Sequence, residues 1–159
     1  MERILRPETG LMTKTIQKAI DECFLAGGGR VVLDRGMFLS GGIRLRSNVT
    51  LYLSAGAILK GTRDPEDYVC VEQDTLEPMP AEYATEVLWT PPRNRKTYDH
   101  ITKAGSRWNR ALIRLLHAHD AAVIGEAGSV IDGSDCYDEI GEEHYRGPHG
   151  ISMHYCENL

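Results

Sequence analysis

No apolar run in this 159-residue chain approaches the roughly 20 residues that cross a bilayer as a helix, so no membrane partner is expected. Basic residues are in the minority: 18 Lys and Arg face 23 Asp and Glu, a formal net charge of −5. They are scattered rather than massed, which argues against a phosphate-tracking surface and against nucleic acid as a partner. The four cysteines (Cys23, Cys70, Cys136, Cys156) show neither C-x-x-C spacing nor a zinc-finger rhythm. They read as reduced, mostly buried thiols behaving as small hydrophobes. The start, Met1-Glu2-Arg3-Ile4-Leu5-Arg6-Pro7, has no apolar stretch and no small-residue cleavage site, so at face value the chain is expected in the cytoplasm. The sequon Asn48-Val49-Thr50 then reads as the start of a strand rather than a glycan acceptor. No Gly-x-Ser-x-Gly marks a serine nucleophile.

What is present begins with one helix. From Thr13 to Ala26 the apolar residues Ile16, Ala19, Ile20, Cys23 and Phe24 recur at steps of three and four. Thr13 is the predicted N-cap, and Gly27-Gly28-Gly29 the left-handed stop. Those glycines follow a helix, not a strand, and no Gly-Lys-Ser/Thr comes after them, so a phosphate loop is not indicated. Beyond the helix the period becomes two. Val31 and Leu33, Ile43 and Leu45, and Val49, Leu51 and Leu53 each point one way. The alternation would place Arg44 and Arg46 on the outside. Glycines punctuate the runs, and no second amphipathic helix follows, so a doubly wound sheet is disfavoured.

Residues 48–62 overlay residues 120–134 without a gap. Asn48 meets Asp120, Ala-Gly falls on Ala-Gly, Ile58-Leu59 on Val130-Ile131, and Gly61-Thr62 on Gly133-Ser134. Asn158-Leu159 could open a third copy. A strand–turn–strand unit cannot bury its own apolar face, so such units stack into a solenoid with one shared interior. The predicted organisation is a capping-helix region at 1–29, first coils at 30–62, an insertion at 63–109, and further coils at 110–159. The insertion carries five prolines and the aromatics Tyr68, Tyr83, Trp89, Tyr98 and Trp108, and reads as an anchored surface excursion or one wall of a carbohydrate groove. The stack ends at Leu159 with no cap, so self-association through that end is expected.

These residues resemble glycoside hydrolase family 28. The resemblance lies in Thr15–Asp21, Gly27–Leu33, Gly42–Leu51, Gly56–Gly61, Ile124–Glu126, Val130–Gly133 and Arg146–Ile151 leading to Cys156–Leu159. It implies a pectin-lyase-like, all-β, single-stranded right-handed parallel β-helix, of which this is the N-terminal portion, incomplete at the C-terminus. It also implies inverting hydrolysis of galacturonic-acid-containing carbohydrate by Asp carboxylates. Two departures stand out. Met12 replaces the usual Asp or Asn at the helix start, and the customary strand before the helix is missing. The family's Asn-Thr-Asp, Asp-Asp, Gly-His-Gly and Arg-x-Lys motifs do not occur in this sequence, so no residue here inherits a catalytic role.

Within the chain, Asp132, Asp135, Asp138, Glu139, Glu142 and Glu143 read as a solvated loop, with Asp132-Gly133 a turn. His117-x-His119 would put two imidazoles on one strand face, and with Glu126 and His154 suggests a metal-dependent cupin. Six residues separate His119 from Glu126, against three or four in cupins, and a single residue reverses a strand side chain. Neither a metal site nor a cofactor is expected. Arg107, Arg146 and His149 are the candidate contacts to an anionic sugar. The competing readings are a β-helix lyase using calcium and an Arg base, a non-catalytic carbohydrate-binding solenoid, and the cupin.

Overall fold

The computed structural model describes residues 1–68, 110–139 and 147–159. Its elements in chain order are β1 (Glu2–Leu5), α1 (Thr13–Leu25), β2 (Gly29–Leu33), β3 (Gly36–Ser40), β4 (Ile43–Arg44), β5 (Val49–Leu53), β6 (Ala57–Gly61), a 3-10 turn at Pro65–Asp67, β7 (Ala111–Leu116), β8 (Ala122–Gly125), β9 (Val130–Asp132) and β10 (His149–His154). Three sheets form, ordered β1-β2-β5-β8, β3-β6-β9 and β4-β7-β10. Every pairing between these strands is parallel. The chain therefore visits the three sheets in turn and climbs one rung per circuit, which is a parallel β-helix. Parallel crossovers of this kind are right-handed.

The register confirms the sequence repeat. Leu51 pairs with Val123 and Leu59 with Ile131, both at the offset of the gapless overlay. Inward residues from the three sheets, among them Val31, Leu51, Phe38, Leu59, Ile43 and Ile113, are no more than 2% exposed and form one core. The turn residue before each coil is also repeated: Asn48, Asp120 and Asn158 all hold left-handed backbone, at φ 60, 51 and 51. Asn and Asp tolerate that region because their short side chains bond locally. Asn158 donates its amide N–H to the Asp120 carboxylate, which joins the second and third of these turn residues.

The helix plugs the first coil. Ile16, Ala19, Ile20 and Cys23 are buried in the common core. Its end is a Schellman motif, with Gly28 N–H donating to Cys23 O and Gly27 N–H to Phe24 O, both at 2.9 Å. At its start the expectation fails. Met12 is the N-cap and makes no side-chain cap bond, whereas the Thr13 hydroxyl accepts from Gly41 N–H at 2.7 Å. The strand thought missing is present: β1 lies parallel on β2, pairing Arg3 with Val31 and Leu5 with Leu33. Leu11 bridges Leu39, and Met12 N–H donates to Leu39 O at 2.8 Å. Together β1, Leu11–Met12 and the polar side of α1 cover the leading edge of all three sheets. Edges protected in this way do not recruit further strands.

Arg44 and Arg46 are not outside; each is only 4% exposed. Gln17 and Asp21, one helical turn apart, lie against them. Arg46 Nε meets Asp21 Oδ1 at 3.0 Å, its guanidinium 6.0 Å from the centre of the Phe24 ring.

The predicted insertion begins inside the core. Tyr68 is 1% exposed and donates its hydroxyl to Thr62 O at 2.8 Å. It is an anchor, not a groove wall. Arg110 at the far side grips Glu66 with both terminal nitrogens (3.2 and 3.1 Å) and Pro65 O at 2.6 Å. The two flanks converge at Gly42, where a Cβ would lie 2.8 Å from Ala111 O and 3.3 Å from Tyr68 Cα. The other aromatics of the predicted groove lie outside the described residues. Among those described, no helix is long and apolar enough to cross a membrane.

Candidate functional site

The sheet β4-β7-β10 carries a row of hydrogen-bonding side chains. Ile43, Ile113 and Leu115 face the core, so the intervening positions face the other way. Register stacks Arg44, Arg114 and Ser152 in one row, with His154 beside Leu116 in the next. Arg44 Nη2 donates to Leu116 O at 3.2 Å, and His154 Nε2 lies 3.0 Å from Ser152 Oγ. Both guanidiniums are buried, Arg114 at 6% exposure. Past the strand ends, His117 stacks on Tyr155 with centroids 5.1 Å apart and planes 5° from parallel. None of the three strands contributes an Asp or Glu. The row thus gathers buried cations, a hydroxyl and an imidazole, and these three strands bring no carboxyl pair to it.

His149, the first residue of β10, is half-buried and donates its backbone N–H to Arg110 O at 2.9 Å. Arg107 and Arg146 lie outside the described residues. Arg114 and Ser152 escaped the sequence reading, although a lone Arg inside Leu112-Ile113-Arg114-Leu115-Leu116 was the available signal. A cation kept within an apolar strand needs a polar purpose.

Burial pushes the His154 imidazole below its ordinary value, and the positive charges of Arg114 and His149 push it the same way. The folded state therefore favours the neutral ring. Stability from this group is complete above the unfolded value near 6.5 and is lost as pH falls through it toward the lower folded value. We expect denaturation midpoints to fall between pH 7 and pH 5.5, and His154→Asn to flatten that slope. Equal slopes for the two proteins would refute the assignment.

The acidic run is not uniformly solvated: Asp138 is 3% exposed. Asp132 is a turn former as expected, accepting Ser134 N–H at 2.8 Å. The cupin set is not assembled. His117 and His119 lie past the end of β7 rather than on one strand face, and His119 Nδ1 is 2.9 Å from Asp120 Oδ2. Glu126 accepts from the Tyr52 hydroxyl at 2.6 Å and from Ala55 N–H at 2.7 Å, which holds its carboxyl below the usual range and the phenol above. Among the described residues no three His, Cys, Asp or Glu side chains gather as a metal site requires. Cys23, Cys136 and Cys156 are free thiols, with Cys136 raised chiefly by burial.

The same stack of parallel coils recurs in known proteins. A polygalacturonase from Erwinia carotovora ssp. carotovora superposes with a TM-score of 0.57 at 18% identity, covering 98% of this chain and 39% of that one. The fold is the polygalacturonase β-helix. A hyperthermoactive exopolygalacturonase from Thermotoga maritima gives a TM-score of 0.52 at 22% identity, covering 83% of this chain and 25% of its own. In sequence, an exo-poly-α-D-galacturonosidase from Dickeya chrysanthemi is 43% identical over 60 residues, 38% of this chain. The chain spans 10% of that relative's length. No family model matches. The polygalacturonase β-helix has no antiparallel barrel, which removes the cupin reading on topology.

Proposed function

We propose that this chain is part of a glycoside hydrolase of the polygalacturonase type, acting on galacturonic-acid-containing polysaccharide or oligosaccharide. The observation that carries this reading is the 60-residue stretch 43% identical to an exo-poly-α-D-galacturonosidase, in a chain with the β-helix of polygalacturonases. Inverting hydrolysis needs one carboxyl to protonate the leaving oxygen and another to activate water, about 6.5–9.5 Å apart. The family's carboxylate motifs are absent from this sequence, so the chain's own contribution is to hold the sugar. His149, on the strand that also carries Ser152 and His154, would meet the uronate carboxylate, as would Arg107 and Arg146, which lie outside the described residues. Guanidinium groups suit that task through paired, charge-assisted hydrogen bonds.

Two measurements test the proposal. The purified 159-residue chain is expected to release no galacturonic acid from polygalacturonate. Release would place the acid–base pair among residues present here. Oligogalacturonate is expected to shift the ring signals of His149 and His154 in NMR spectra, and neutral cello-oligosaccharide to leave them in place. Equal responses to both sugars would overturn the uronate contact.

A further inference from the structure

In the sheet β1-β2-β5-β8 the core takes Val31, Leu33, Leu51 and Leu53, so their alternating neighbours face outward, at right angles to the stack. Register sorts those neighbours into rows that run along the stack. The middle row is Ile4, Val32, Tyr52 and Ile124. Ile4 and Ile124 are 61% and 45% exposed, and Val32 and Tyr52 are half-buried. The Tyr52 ring is fixed in place, with the Arg30 guanidinium 5.1 Å from its centre and its hydroxyl donating to Glu126 at 2.6 Å. On one flank of the row stand Glu2 and Arg30, which form an ion pair. On the other stand Arg6 and Asp34, paired at 3.9 Å, where Asp34 N–H donates to Leu5 O and carries the register past β1. A continuous outward strip of large apolar side chains, bordered by charge, marks a contact surface rather than a solvated one.

We infer that this face binds a second copy of the chain, sheet against sheet, about a two-fold axis that runs along the apolar row. The order of charges selects both the occupant and the axis. At the rungs of β1 and β2 one flank reads negative then positive, and the other positive then negative. A half-turn about the row exchanges the flanks and keeps the rungs. It sets Glu2 against the partner's Arg6 and Arg30 against the partner's Asp34, while each apolar residue meets its own copy. Four alternating charges then close each side of the strip. Glu126, whose charge the Tyr52 hydroxyl and Ala55 N–H already answer, falls opposite the partner's Ala122. An axis along the strands would reverse the rungs and set Glu2 and Arg30 against the partner's Ala122 and the partner's Thr50, with no charge to meet. Facing sheets pack with aligned strands about 10 Å apart, which this arrangement keeps. The contact uses the side of the coils, and the inference is independent of the hydrolase proposal.

Sedimentation equilibrium of the intact chain is expected to show monomer and dimer in exchange, and two double variants decide whether this face carries the contact. Glu2→Arg with Arg30→Glu, and Arg6→Asp with Asp34→Arg, each keep the ion pair within the chain but present like charges to an identical copy. Each variant alone is expected to dimerise at least about tenfold more weakly than the parent, with an unchanged circular dichroism spectrum. Mixed in equal amounts, the two variants offer each other complementary flanks and are expected to recover the parent's dimer constant within about threefold. A parent that stays monomeric at every concentration overturns the inference. Variants that each dimerise as well as the parent also overturn it, since association would then use another surface such as the last coil. So does a weakening that mixing fails to restore.

Discussion

Tyr68→Ala is expected to lower the stability of the chain by about 3–5 kcal/mol, a large share of the roughly 5–15 kcal/mol that holds a domain together. The ring is among the largest fully buried side chains. It is seated where glycines make room: a Cβ at Gly61 would lie 2.2 Å from its hydroxyl oxygen. Burial pushes the phenol up to about 12, so it remains a donor to Thr62 O at any pH the fold survives. Removing the ring empties a closely packed cavity and strands that carbonyl. Tyr68→Phe keeps the volume and loses only the bond, so about 1 kcal/mol is expected. Urea denaturation followed by circular dichroism separates the two. Equal midpoints for Tyr68→Ala and the parent would show that the residue does not pin the flank of the 69–109 segment to the coils.

How much of this was legible in the sequence follows from where each signal is stored. The helix and the repeat were legible because both are periodicities: Ile16, Ile20 and Cys23 share a face, and Leu51 and Leu59 reappear as Val123 and Ile131. The strand β1 was not. Glu2-Arg3-Ile4-Leu5 has no alternating pattern, its residues are largely exposed, and it is a strand because β2 offers it hydrogen bonds. Arg44 and Arg46 show a related limit. Alternation with Ile43 and Leu45 says which side of the strand they take, but not that Arg46 meets Asp21 or that Arg44 reaches Leu116 O. The row Arg44–Arg114–Ser152 was invisible for another reason. Arg44 and Arg114 are 70 positions apart in sequence and become neighbours only through the parallel register. Thr13 was read as a cap because that is the locally favoured bond, and the chain instead satisfies Gly41 across the coil.

Gln17 provides the second large effect, because it ends a sheet that has no strand to end it. The strand β4 is last in its sheet, and Arg44 is buried. Its backbone N–H and C=O would face apolar surroundings with nothing to bond. The Gln17 amide answers both, with Oε1 accepting from Arg44 N–H at 2.7 Å and Nε2 donating to Arg44 O at 3.0 Å. Nε2 also donates to Asp21 Oδ1 at 2.9 Å, and Asp21 in turn holds Arg46. One primary amide thus replaces a strand, since it alone among uncharged side chains of this length carries donor and acceptor on one planar group. Gln17→Leu preserves helix propensity and most of the volume but strands two backbone groups. At about 1–3 kcal/mol for each unsatisfied buried group, partly relieved by Gln17's half-exposed position, a loss of roughly 2–4 kcal/mol is expected. Gln17→Glu makes the test sharper. Its carboxylate still accepts from Arg44 N–H, but it sets an oxygen against Arg44 O and a second negative charge against Asp21. The variant is expected to be markedly less stable than the parent near neutral pH, and to recover part of the difference below the ordinary Glu value of about 4.3, where protonation restores a donor. The comparison is made at matched pH, so that the acid sensitivity from His154 cancels. A Gln17→Glu deficit that stays constant across that range would mean that the lost donor is not what destabilises β4.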